Sequence, residues 1–127
     1  MEPAFPEGRR LWASRFAYLF GAPQRGDVIV FRSLDDPARR DLKRIIGLPR
    51  ETVVWQAGNF WVNGVALEEL YARIAHPSPG DDERRTLHLG AQDYVVAGDN
   101  RLYSRDSRRY GPVPRSAILG KVLLVLQ

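Results

Sequence analysis

Apolar residues fall in short runs broken by turn residues, and the runs favour strands. Val28-Ile29-Val30-Phe31 follows the turn Arg25-Gly26-Asp27 and is β-branched, as a buried strand is. After a turn at Asp35-Asp36-Pro37, Leu42-Lys43-Arg44-Ile45-Ile46-Gly47 reads as a second strand, broken at Gly47-Leu48-Pro49. Thr52–Trp55 and Asn59–Val62 look like strands joined at Ala57-Gly58, and Asn63-Gly64 makes a further tight turn. Thr86–Leu89 alternates, which puts His88 toward solvent, while Tyr94–Ala97 and Lys121–Leu126 read as further strands. Helical turns are expected at Leu67–Tyr71 and Pro114–Ile118. Residues 1–25, punctuated by Pro3, Pro6, Gly8, Gly21 and Pro23, are expected to be irregular. The pattern predicts one mainly β domain across residues 1–127, a folded β-sheet or barrel with one or two short helical turns.

Composition narrows the chemistry. At 127 residues the chain can bury a core without staples, and with no cysteine it has neither a disulfide framework nor a thiolate metal site. Two histidines, His76 and His88, are too few for a metal cluster, so no metal or cofactor is expected. A net charge of +4 invites a nucleic-acid partner. The arginines are scattered, however, and no basic helix or stacking module accompanies them, so no nucleic acid is expected. No apolar run approaches the ~20 residues of a spanning helix, and Met1-Glu2-Pro3 does not open like an export signal, so the chain itself reads as soluble. Leu11-Trp12 and Phe16–Phe20 are aromatic patches that fit either core packing or a surface that touches lipid or a partner.

Two features carry chemistry. Lys43 and Lys121 are the only lysines in a chain that otherwise takes its positive charge from arginine. A strand lysine ordinarily points to water, but one that is desolvated can lose its proton and act as a general base, which arginine cannot do. The second feature is the dense polar segment Gly98–Pro112, which follows a strand and is either a solvated loop or the rim of a site.

Together these stretches resemble a known family. Lys43-Arg44-Ile45-Ile46-Gly47-Leu48-Pro49, then Gly98-Asp99-Asn100, Ser104-x-Asp106-Ser107-Arg108 and Gly111, are similar to the boxes of type I signal peptidases, the Ser-Lys dyad proteases that remove signal peptides from exported proteins. Arg25–Phe31 resembles the strand that precedes the family's lysine. One departure is Arg50-Glu51, where the family often has Gly-Asp. The resemblance implies the signal-peptidase fold, with Lys43 as general base and Ser104 aiming its amine. It implies an ionic scaffold of Arg44, Asp99, Asp106 and Arg108, with Asn100 and Ser107 in the same boxes. Val30 and Leu42 would line shallow pockets for small side chains at the −1 and −3 positions of an extended peptide, and Met1 would lie beside the substrate. The implied partners are signal peptides of secreted preproteins and a membrane lipid surface. The implied location is the extracytoplasmic side of the cell membrane.

The nucleophile falls outside the match. Met1-Glu2-Pro3-Ala4-Phe5 resembles the family's nucleophile motif from its methionine onward, so the serine is expected immediately before Met1, along with the membrane anchor and an oxyanion-hole contributor. The chain as given is therefore expected not to cleave. A truncated start explains this better than lost catalysis, because Lys43 and Ser104 are kept. The alternative is a non-catalytic relative that binds signal peptides or pilin-like segments. A self-cleaving repressor would need a scissile linker and a DNA-binding domain, and neither is evident. The endoplasmic-reticulum branch has histidine in place of the lysine. Arg109–Val113 also resembles mitochondrial inner-membrane peptidases, which leaves bacterium and organelle both open.

Overall fold

A computed structural model gives the structure of the chain and describes residues 10–19, 21–67 and 83–126. Among the described residues, ten strands and three short helical turns follow in order: β1 (Arg10–Ser14), β2 (Val28–Arg32), β3 (Arg40–Gly47), β4 (Thr52–Gln56), β5 (Asn59–Val62), β6 (Val65–Ala66), β7 (Arg85–His88), β8 (Asp93–Ala97), a 3-10 turn (Arg101–Tyr103), α1 (Ser107–Tyr110), β9 (Val113–Pro114), a second 3-10 turn (Arg115–Ala117) and β10 (Ile118–Leu126). They form two antiparallel sheets, one ordered β1-β10-β2-β3-β8-β9 and one ordered β6-β5-β4-β7. The mainly β architecture with short helical turns is the one expected from the sequence pattern.

β3 and β8 each carry an apolar pair, Ile45-Ile46 and Val95-Val96, that is fully buried. Ile45 and Val96 belong to one core with Ile29, Phe31, Tyr94, Val113 and Ile118. Their chain neighbours Ile46 and Val95 belong to a second core with Val53, Phe60, Leu89 and Ala97. At these positions alternate side chains of the two strands face opposite ways into separate cores. The second sheet packs so closely on β3 that a Cβ at Gly47 would stand 2.6 Å from Val53 Cγ2. A register shift between Ile45 and Gly47 accommodates the crossing.

Several expectations are refined. Residues 10–14 are not irregular: they form β1, paired with β10 from Arg10↔Leu126 to Ser14↔Lys121. Their partner lies at the far end of the chain, so no local pattern announces the strand. Val65–Ala66 adds a short strand beyond the Asn63-Gly64 turn. His88 is solvent-exposed as expected. Phe16 and Leu19 are 71% and 64% exposed, whereas Tyr18 packs against the first core. The helical turn expected at Leu67–Tyr71 lies outside the described residues beyond Leu67, as do His76, Phe20 and Met1.

Candidate active site

The register of β3 determines what meets Lys43. The β2–β3 hairpin sets Lys43 opposite Ile29 and Arg44 opposite Val28. On its other side Arg44 pairs with Ala97, the last residue of β8. One step further the chain leaves the sheet at Gly98, beside Lys43, and opens the polar loop. Asp106 then caps α1 by accepting from the Arg108 backbone N–H at 3.1 Å, and Gly111 ends the helix at φ +85° with its N–H on Ser107 O. Ser107 is buried, and its Oγ accepts from Val96 N at 2.9 Å, which pins the loop back onto β8.

Within that frame Lys43 Nζ lies 3.2 Å from Ser104 Oγ. The serine hydroxyl donates to Asp106 Oδ2 at 2.8 Å and also accepts from Gly98 N at 3.0 Å. A hydroxyl has one proton and two lone pairs. With the proton on Asp106 and one lone pair on Gly98 N–H, the remaining lone pair takes an N–H from Lys43. The lone pair of a neutral Lys43 amine then points away from Ser104. Gly98 must be glycine, since a Cβ there would fall on the Ser104 hydroxyl and come within 3.5 Å of Lys43 Nζ.

The charges are held tightly. Asp106 is fully buried. Its Oδ1 accepts from Arg108 Nε at 2.9 Å, and its Oδ2 accepts from Arg108 Nη2 at 2.9 Å and from Gly98 N at 3.1 Å. Burial pushes its carboxyl toward the neutral form, but the Arg108 fork, the Gly98 N–H and the Ser104 hydroxyl outweigh that and hold it below the usual carboxylate value. Lys43 is half-buried. Burial presses its ammonium below the ordinary lysine value, Asp106 and Asp41 oppose this, and Arg108 and Arg39 add to it.

A second fork lies under the loop. Arg44 donates from Nε and Nη2 to Asp99 at 3.0 and 2.9 Å, and from Nη1 to Gly26 O at 2.9 Å. Asp99 is fully buried. The four scaffold residues thus make two bidentate forks, Arg44 on Asp99 and Arg108 on Asp106. Arg101 ties the start of the loop to Arg108. It is buried beneath the loop, donates from Nε to Gly98 O at 2.8 Å, accepts from Arg108 Nη2 on its own carbonyl at 2.8 Å, and stacks 4.9 Å over the Phe60 ring.

The other predicted positions divide. Asn100 contributes its carbonyl, which accepts from Tyr103 N at 3.2 Å. Val30 and Leu42 are cross-strand partners and half-buried, but the pleat sets them on the sheet face opposite Ile29 and the Lys43 stem. Met1 lies outside the described residues. At the departure from the family's box, Arg50 adopts φ +68°, the left-handed conformation that favours the glycine often found there. Glu51 accepts two hydrogen bonds of 2.7 Å from Arg25 and one of 2.6 Å from Leu48 N, fixing the turn after β3.

Comparison with known proteins agrees with the geometry. The profile of the family described as "Signal peptidase, peptidase S26" matches residues 1–127. A signal peptidase I of Leptolyngbya laminosa is 37% identical over 131 residues, covering 98% of this chain and 63% of that protein. Signal peptidase I V of Bacillus subtilis is 33% identical, covering 96% of this chain and 77% of its own length. The chain therefore spans a little under two thirds of the Leptolyngbya protein. The crystal structure of a signal peptidase I from Enterococcus faecalis superposes with a TM-score of 0.67 at 36% identity, covering 81% of this chain and 97% of that one.

Proposed function

The chain belongs to the signal peptidase family, peptidase S26, and from that premise we propose that residues 1–127 are the catalytic domain of a signal peptidase I-type serine endopeptidase that removes N-terminal signal peptides from exported proteins. The observation that carries this reading is the orientation of Lys43. Its amine is desolvated and aimed by a serine whose own proton is committed to Asp106. Such a lysine can take the proton of a second hydroxyl as that hydroxyl attacks a peptide carbonyl, then return it to the leaving amine. Ser104 does not qualify as the nucleophile, because its proton and lone pairs hold the site together. We assign that role to a serine directly before Met1, so residues 1–127 by themselves do not cleave by the Ser-Lys route. Val30 and Leu42 are assigned to the pockets for small substrate side chains. The exposed Phe16 and Leu19 support a lipid-facing surface on the extracytoplasmic side of the membrane.

The test is to place serine directly before Met1 and assay a synthetic preprotein peptide, beside the 127-residue chain. The serine-bearing protein is expected to cut after a small residue, and its Lys43→Ala variant is expected not to. A folded serine-bearing protein that binds the peptide without cutting it would favour the non-catalytic, peptide-binding reading.

A further inference from the structure

Lys43 is flanked by carboxylates on two sides, and only one of them belongs to the polar loop. Asp106 approaches from the loop with Arg108 forked onto it. Asp41 is two residues before Lys43 on β3, so the pleat puts both on the same sheet face, with Asp41 opposite Phe31 and Lys43 opposite Ile29. The Asp41 side chain is only 15% exposed, and Arg39 Nε lies 3.3 Å from its Oδ1.

Although 55% exposed, Arg39 is anchored at several points. Its carbonyl accepts from Ser33 N at 2.9 Å, its Nη2 donates to Ser33 Oγ at 3.3 Å, and its own N–H is bonded to Asp36 O at 2.9 Å. Ser33 is itself buried. The turn between β2 and β3 thus delivers a guanidinium to the carboxylate nearest Lys43 along its strand. We propose that Asp41 and Arg39 are positioning residues for Lys43, a second carboxylate–guanidinium brace that balances the charge around the amine as Asp106 and Arg108 do from the loop.

Among the described residues, the rest of the surroundings leave the role to these two pairs. Ile29 on β2 is apolar. Tyr110 of α1 packs on the same core and stays a neutral phenol, held so by burial and by the nearby Asp106, Asp41 and Asp35, with Arg39 opposing. Asp35 is paired with Arg105 at 2.8 Å. Either carboxylate alone would hold Lys43 as the ammonium and silence it as a base. Each brings its own arginine, so the lysine is enclosed by dipoles rather than by net charge. The proposal rests on the reading of Lys43 as the base, but its test does not need cleavage.

With only two lysines in the chain, NMR titration of the lysine side-chain amines resolves Lys43, and Lys121, paired with Asp27 at 3.5 Å, is the internal control. Asp41→Asn leaves Arg39 unopposed and is expected to lower the proton affinity of Lys43 about threefold. Arg39→Gln leaves Asp41 unopposed and is expected to raise it by a similar factor. The double variant is expected to return near the wild-type midpoint, and Lys121 is expected not to move. Unchanged Lys43 midpoints in both single variants, or shifts of the same sign, would overturn the proposal. Should Asp41→Asn fail to fold, Arg39→Gln at the exposed position decides alone. If the midpoints move as expected while the pH profile of the serine-bearing enzyme stays put, the brace stands and Lys43 is not the base.

Discussion

Ser104 Oγ meets Lys43 Nζ at 3.2 Å through a lone pair, while its hydroxyl donates to Asp106 Oδ2, oxygen to oxygen, at 2.8 Å. The lysine is oriented by a group that cannot itself be deprotonated without breaking the bond to Asp106. Replacing Ser104 with alanine should therefore lower kcat/KM of the serine-bearing enzyme about 10²-fold, mostly through kcat, because peptide binding is left in place. Steady-state kinetics on a preprotein peptide check this, and an effect confined to KM would contradict an orienting role.

The lysine itself is expected to work against stability. Its folded-state value is depressed, chiefly by burial. The unfolded chain therefore binds the proton more tightly, and the site costs stability at every pH below the folded midpoint. That cost fades as pH rises through this midpoint toward the unfolded value. Lys43→Met should raise stability at neutral pH by about 1 kcal/mol while abolishing cleavage. Lys43→Arg should abolish cleavage too, because a permanent cation accepts no proton. Denaturant melts paired with activity assays separate the two effects.

Gly98 is a steric requirement of the same site. Gly98→Ala puts a methyl where the Ser104 hydroxyl sits, so the loop must shift. We expect a loss of about 2 kcal/mol, as for overpacking elsewhere, and near-complete loss of cleavage. Adding Ser104→Gly should restore most of the stability and none of the activity, which a thermal melt and an assay of the double variant would show.

Three non-glycine residues among those described, Arg50, Ala57 and Asn63, carry left-handed backbone at turns. Arg50 (φ +68°) follows β3, and Ala57 (φ +52°) precedes Gly58 (φ +80°) in the β4–β5 hairpin. Two successive residues of positive φ make the hairpin turn in which asparagine followed by glycine is favoured, as at Asn63-Gly64. Arg50→Gly and Ala57→Asn should each stabilise by about 0.5 kcal/mol. Neither should alter cleavage, since neither side chain reaches Lys43.

Acid should unfold the protein through two paired carboxylates. Glu51 is held below its ordinary value chiefly by hydrogen bonds from Arg25, and Asp106 by Arg108 against the opposing effect of burial. Both contribute stability that is present above the ordinary carboxylate values and is lost as pH falls through the depressed ones. Glu51→Gln should flatten the acid limb of the stability curve, measured by denaturant melts between about pH 5 and 2.

Much of the site was legible because its residues are spaced along the chain as boxes. Lys43, Arg44, Asp99, Ser104, Asp106, Ser107 and Arg108 all meet where β3 and the end of β8 bring them. What stayed hidden depends on partners distant in sequence. β1 is a strand only because β10 lies beside it. α1 is four polar and aromatic residues with no apolar period, and it exists because Asp106 caps one end and Gly111 closes the other. Arg101 has the composition of a surface residue, and only the assembled loop and the Phe60 ring show why it is buried. Residue order alone does not show that Arg39 folds onto Asp41, whose place on β3 puts it on the sheet face of Lys43.

The place of β10 also sets an order of assembly. It is the last strand of these 127 residues, yet it lies inside the larger sheet, between β1 and β2. While the chain emerges from a ribosome, β2, β3 and β8 can gather Lys43 and its loop. The open side of β2, along Ile29 and Phe31, stays unpaired until β10 arrives. A nascent chain stalled before Ile118 would hold a nearly complete site behind a bare, apolar sheet edge, the kind of surface that recruits chaperones or nucleates aggregates.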